Sequence, residues 1–277
     1  MTAENDAAAN WRQASRQWSV LGSPQRPSAE DVAAVERAIA ASGDPDRALR
    51  AVVLGVTPEL VGCRWPAGTR LLATDNSLAM IQMLWPPPGM PAGARAICAD
   101  WLSMPVPTGG ADIVVGDGSY AAIRLPEDGP AMTAEVRRML KPGGLFAVRV
   151  YLRPDAAEAI ADLDAALAAG TVGSVHALKW RIAAAIQPSL SAGVRLADIW
   201  TAWEALRPAA EHSRGRPGWR DEEIATLARY CDNTTRYYFP TAAEFRAIVG
   251  DRLEEIDCAV GTYELAERCR TFIFRRH

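Results

Sequence analysis

With 277 residues, 49% hydrophobic and 23% charged, the chain can bury a full core as one large or two modest domains and is too apolar to be disordered by default. A formal net charge of -3 with dispersed basic residues lacks the footprint of a non-specific nucleic-acid binder, so the expected partner is a small molecule and not a nucleic acid. Cys63, Cys98, Cys231, Cys258 and Cys269 are far apart and never in a C-x-x-C spacing, which signals neither a disulfide framework nor a metal site. The acidic start MTAENDAAANWRQ, with no run of about eighteen apolar residues anywhere, predicts a cytoplasmic chain without signal peptide or membrane span.

Helical periodicity marks Asn10 to Val20 and, behind a capping-box-like Ser28 and Asp31, Ala29 to Ser42. These two helices form a predicted N-terminal unit over residues 1–45. Trp11 and Trp18, seven residues apart, share a face that would cover a ligand mouth, pack on the sheet, or meet a second copy in a homodimer. Strands are then predicted at Ala51 to Gly55, Thr69 to Thr74, Ala94 to Ala99, Ala111 to Val115 and Gly144 to Tyr151, with helices from Pro58, over Ser77 to Trp85 and over Ala131 to Leu140. Short apolar runs alternating with helices imply an α/β fold, a doubly wound and mostly parallel sheet of Rossmann-like type.

The rhythm changes after Arg153-Pro154. Helical stretches at Asp155 to Ala169, Val175 to Ile186, Arg195 to Arg207 and Asp221 to Tyr230, with no convincing strand, predict a helical cap inserted over 154–240. The sheet resumes with helix Thr241 to Val249 and strands Leu253 to Gly261 and Thr271 to Arg275, the last two antiparallel at the sheet edge. The core is thus expected over 46–153 and 241–277, with seven strands.

In an open parallel sheet the ligand lies beyond the carboxyl ends of the strands, so residues there carry the functional reading. The first strand ends in AVVLGVTPEL. Gly55 permits close approach, Thr57 and Pro58 open a helix, and Glu59 suits a ligand with a cationic end better than a pyrophosphate. Asp75, 20 residues after Gly55 in LLATDNS, stands where an acid meets ribose hydroxyls in nucleotide-binding α/β domains. Asp100 and Trp101 in ICADWLSMPVP offer an acceptor and a ring for adenine. Asp117, Gly118 and Tyr120 follow the fourth strand in ADIVVGDGSY, and LKPGGLFAVRVY turns tightly into the fifth.

In this order the motifs resemble those of the class I S-adenosylmethionine-dependent methyltransferases, over about Ala51 to Tyr151 and the tail from Thr241. LKPGGLF following ADIVVGDGSY is the most specific piece, and Gly-x-Thr-Pro-Glu-Leu is a minority variant of the family's D-x-G-x-G-x-G loop. The resemblance implies S-adenosyl-L-methionine as cofactor. It places the methionine end at Gly55, Thr57, Pro58 and Glu59, ribose at Asp75, and adenine at Asp100, with Asn76 and Met80 or Trp101 flanking ribose and adenine. Asp117 and Gly118 border the same site.

The acceptor is expected under the cap, against Tyr120, Tyr151, Trp180 and Trp203. Arg149 and Arg153, alternating with Tyr151, would receive a carboxylate, and His176 and His212 are the candidate general bases. The expected reaction is methyl transfer to an oxygen or nitrogen of a small molecule. Other readings of the same features are a non-methylating use of the cofactor, such as cyclisation of its own side chain, and a non-catalytic adenosyl-binding protein. A nicotinamide dehydrogenase is disfavoured by the absent Gly-x-Gly-x-x-Gly.

Overall fold

The computed structural model describes residues 18–43, 47–212 and 218–277. Most of the first predicted helix, including Trp11, and the side chain of His212 therefore lie outside the described residues. Of that helix, a short 3-10 turn at Trp18–Val20 is described. It leads through a turn into α1 (Ala29–Ala41), whose start is the predicted capping box: the Asp31 amide donates to Ser28 Oγ and the Ser28 amide to Asp31 Oδ2.

Strands β1 (Arg50–Leu54), β2 (Arg70–Asp75), β3 (Arg95–Cys98), β4 (Ala111–Asp117) and β5 (Leu140–Tyr151) pair in parallel in the order β3-β2-β1-β4-β5. Side chains alternate across the pleat, and both faces are apolar. Val52, Leu54, Val114, Phe146 and Val148 pack on one side with Met132, Val136 and Met139 of α4 (Gly129–Met139). Ala51, Val53, Ile113 and Val115 face the other side. They meet Val35 and Ile39 of α1, Leu60 and Val61 of α2 (Pro58–Val61), and Met80 of α3 (Leu78–Leu84).

β5 begins earlier than the sequence predicts. Leu140 already pairs with Ala111, the register then shifts, and Leu145 pairs with Ile113, so the Lys-Pro-Gly-Gly turn is a bulge within the strand rather than a loop before it.

The insertion after β5 holds α5 (Ile160–Ala168), α6 (Val175–Ile186), α7 (Leu196–His212) and α8 (Asp221–Ala225), then a 3-10 turn at Ala228–Tyr230. It has its own apolar cluster, in which Leu163, Leu178, Ile182, Ile199, Trp203 and Tyr230 are buried. It also contains a two-residue antiparallel ladder, β6 (Val194–Arg195) with β7 (Arg236–Tyr237), too short for a period-2 pattern to reveal.

The sheet is completed by α9 (Ala242–Val249), β8 (Glu254–Ala259) and β9 (Cys269–Arg275). β9 lies antiparallel between β5 and β8, giving a seven-stranded sheet in which that last strand alone runs against the rest. No helix among the described residues is long and apolar enough to cross a membrane.

Candidate functional site

The crossovers leave β1 and β4 in opposite senses, which opens a crevice beyond their carboxyl ends. A cleft there encloses about 760 Å³ of atom-free space, its open mouth included. Gly55 ends β1 with φ +107°, a conformation L side chains rarely adopt, and its N–H donates to the Thr74 carbonyl at 2.7 Å. The chain thereby turns sharply at the cleft floor. Thr57 follows at the N-cap of α2, yet its side chain makes no capping bond and lines the cleft instead.

Asp75 ends β2 and is buried in the cleft wall; Oδ1 accepts from the Ser77 amide at 2.8 Å. Burial outweighs that bond and pushes its carboxyl up to about 6. Met80 and the Trp101 ring flank the same wall, and Trp101 is oriented by its Nε1–H donating to the Thr74 carbonyl at 2.9 Å.

β4 delivers Asp117, Gly118 and Ser119 opposite. Gly118 is left-handed at φ +62°, and a Cβ there would lie 2.5 Å from Cε2 of Tyr151, so only glycine lets the Tyr151 ring form this part of the wall. Asp117 is held by Arg149, whose Nε donates to Oδ1 at 2.6 Å. Arg149 is 2% exposed and fully engaged: Nη1 reaches Asp31 Oδ2 at 3.5 Å and the Tyr263 hydroxyl at 3.4 Å, and Nη2 the Tyr151 hydroxyl at 3.2 Å. Burial opposes its charge, but the Asp117 carboxylate prevails and keeps it firmly protonated, while burial raises the Asp117 carboxyl. The Ser119 hydroxyl is buried at the cleft without a protein partner.

The remaining walls come from outside the sheet. The N-terminal segment contributes Trp18, Leu21 and Gln25, and the cap contributes Trp180, Arg229 and Tyr237. Trp180 packs against Tyr151 at 5.1 Å and edge-on to Tyr237 at 5.8 Å between ring centroids. Gln25 joins the two units. Its Nε2 donates to the Tyr230 hydroxyl at 2.9 Å, and its Oε1 accepts from Lys179 at 2.9 Å and from His176 Nδ1 at 3.0 Å.

Of the residues that the sequence singles out, the cleft brings together Gly55, Thr57, Asp75, Met80, Trp101, Asp117, Gly118, Tyr151 and Trp180. Others stand apart. Pro58 only opens α2. Glu59 meets a cation from the protein itself, accepting from Arg26 Nε at 2.7 Å, and so ties the N-terminal segment to the first loop. Asn76 and Asp100 are exposed, Asp100 accepting from the Leu102 amide at 2.9 Å. Tyr120 is wholly buried beneath the sheet, its hydroxyl 2.7 Å from that of Thr133 and its ring edge-on to Phe245.

Of the expected pair of arginines, Arg149 is engaged as above, and Arg153, bonded to Glu244 at 2.6 Å through Nη2 with its Nε unpartnered among the described residues, does not line the cleft. Trp203 belongs to the cap's own core. His176 is buried behind Gln25 rather than lining the cleft. Burial, with Lys179 beside it, lowers its imidazole to about 4, which keeps it neutral and makes it a weaker base than an ordinary histidine. Gln25, Ser119, Arg229 and Tyr237 join the walls without being predicted there. Ser119 lies inside the quoted ADIVVGDGSY, a signal that was available; Arg229, in an ordinary amphipathic stretch, had none.

A carboxylate at the end of the second strand, a glycine turn at the end of the first and an aromatic wall between them form a cradle that fits a nucleoside. Residues 55–148, from the glycine turn through most of β5, match the methyltransferase domain family. No curated protein matches the chain. Among solved structures, a Rhodobacter sphaeroides protein provisionally named a zinc-dependent alcohol dehydrogenase aligns over 98% of this chain and 99% of its own, with 15% identity and a TM-score of 0.60. A chain from the Haloferax volcanii complex of the Trm112 methyltransferase activator with a provisionally named methyltransferase aligns over 89% and 90%, with 13% identity and a TM-score of 0.50. At such identities these likenesses show the fold. Among the described residues no group of three or more His, Cys, Asp or Glu side chains is placed to hold a metal ion.

Proposed function

We propose that this chain, an S-adenosylmethionine-dependent methyltransferase by the domain it carries, transfers the methyl group to an oxygen or nitrogen of a small molecule held under the helical cap. The observation that carries the reading is the single cleft shared by Gly55, Asp75 and Trp101 of the sheet and by Trp180, Arg229 and Tyr237 of the cap. In this reading Asp75 accepts hydrogen bonds from the ribose hydroxyls, Met80 and Trp101 bracket the adenine, and Gly55, Thr57, Asp117 and Gly118 border the methionine portion. When bound, S-adenosylmethionine supplies a sulfonium-activated methyl group open to direct in-line displacement.

The protein's own task is then positioning. Tyr151 and Trp180 form an apolar wall that excludes water and limits the acceptor's approach, and Arg149 holds Asp117 and Tyr151 in place from behind. Among the described residues that line the cleft none is a histidine, and in this reading the acceptor's proton leaves to solvent or to a carboxylate of the wall. In this reading the N-terminal unit, 1–45, is a lid whose described residues Trp18, Leu21 and Gln25 border the cleft, 154–240 is the acceptor cap, and 46–153 with 241–277 is the cofactor-binding core.

Calorimetry with S-adenosylmethionine and S-adenosylhomocysteine tests the reading. Both should bind the folded chain, and Asp75→Ala should weaken binding by about 1.5–3 kcal/mol through loss of a charged acceptor. Absence of binding to either compound by folded wild-type protein would end the proposal. Product analysis in the absence of an acceptor separates methyl transfer from self-cyclisation.

A further inference from the structure

Arg229 is the one cation among the described residues that line the cleft, and it is 6% exposed. Its Nη2 lies 3.5 Å from the Tyr230 hydroxyl and its guanidinium sits 5.2 Å over that ring, but Nε and Nη1 have no partner among the described residues. A buried guanidinium left so incompletely paired is costly, and the chain adds to the cost nearby. Lys179, fully buried, is driven well below its ordinary pKa by burial and by Arg229.

The other unpartnered groups at the cleft are of the same kind: the indole N–H groups of Trp18 and Trp180 can only donate, and the Ser119 hydroxyl can. The unpartnered donors thus come from three walls, Trp180 and the one positive charge from the cap, Trp18 from the N-terminal segment and Ser119 from the end of β4. The acids, Asp75 and Asp117, stand on the sheet side, Asp117 already paired with Arg149.

We propose that the methyl acceptor carries a carboxylate, and that Arg229 is the residue that recognises it. The assignment rests on the methyltransferase reading above. Nε and Nη1 stand on different edges of the guanidinium, and either can donate to a carboxylate oxygen with the weakly engaged Nη2 beside it; one charge matches a monoanion better than a phosphate dianion. The aromatic walls fit an apolar, flat remainder of the same molecule. Arg229 thus takes the role that the sequence suggests for Arg149 and Arg153, neither of which lines the cleft.

The test is calorimetry on the full chain preloaded with S-adenosylhomocysteine, titrated with benzoate, phenylacetate and indole-3-acetate, each against its neutral amide. At least one acid should bind ten times more tightly than its amide. Arg229→Gln should erase that difference while leaving the affinity for S-adenosylhomocysteine within twofold, and Arg229→Lys should retain part of it.

A second readout needs no ligand: because the guanidinium is uncompensated, Arg229→Met should melt at or above the wild-type temperature, whereas a structural arginine would lower it. Acids that bind no better than their amides, or not at all, overturn the proposal on wild-type protein alone. A tenfold loss of S-adenosylhomocysteine affinity in Arg229→Gln overturns it too, by placing the arginine on the cofactor's own carboxylate. Failure of wild-type protein to bind S-adenosylhomocysteine is seen before any acid is added, and identifies failure of the underlying reading instead.

Discussion

In the proposed reading Asp75 joins burial to cofactor binding in one carboxylate. Because burial raises its pKa to about 6, the ligand-free protein holds it partly protonated in mildly acidic solution, and a ribose that donates hydrogen bonds requires the ionised form. Affinity for S-adenosylhomocysteine should therefore fall about tenfold per pH unit below about 6 and level off above it, a dependence that Asp75→Asn should flatten. For the ligand-free fold the sign is opposite: a raised carboxyl pKa favours the folded state at low pH, and that contribution is lost as pH rises through about 6. Urea denaturation of wild type and Asp75→Asn at pH 4 and 7 checks it. Gly118→Ala should cost about 1–3 kcal/mol in the same assay, since its Cβ would collide with Tyr151 in a left-handed turn. Both residues were legible in the sequence, because strand-end acids and glycines follow from topology. Which oxygen or guanidinium is already spoken for was not: that Arg149 serves Asp117 and Arg26 serves Glu59 depends on partners 32 and 33 positions away.

At the level of elements, Arg149 fastens three pieces together. On β5 it grips the end of β4 through Asp117 and the first turn of α1 through Asp31, which at the same time closes the capping box of that helix. Arg149→Met leaves two buried carboxylates without their cation and should destabilise the fold by about 3–5 kcal/mol, read as a drop in the urea midpoint with little change in slope. The order of strands and helices was legible because burial on both sheet faces yields short apolar runs, and helix starts at Ser28, Pro58 and Thr241 are written in capping residues. The β6–β7 ladder and the bulged entry to β5 were not. The first is too short to show a period, and the second depends on where β4 lies rather than on Lys-Pro-Gly-Gly itself. The helical character of the cap was legible; its contribution of a charged residue to the cleft required the tertiary fold.

Across the whole molecule, three apolar clusters sit side by side, one on each sheet face and one in the cap, and the cleft lies where the cap approaches the sheet. Gln25 and Arg26 are neighbours in sequence, yet the first is bonded to Tyr230, Lys179 and His176 of the cap and the second to Glu59 of the first sheet loop. One dipeptide thus ties the loop after β1 to the cap, the two elements that flank the cleft. A ligand that firms up either element prepays part of the ordering needed by the other, so the two affinities should be linked, and reciprocally so. S-adenosylhomocysteine should tighten binding of the preferred carboxylic acid by at least about fivefold. Arg26→Gln should shrink that factor in calorimetric titrations performed in both orders; equal affinities with and without S-adenosylhomocysteine would show two independent compartments. Linkage of this kind would give the enzyme a binding order without a dedicated regulatory domain, and would protect the activated methyl donor from meeting water when no acceptor is waiting.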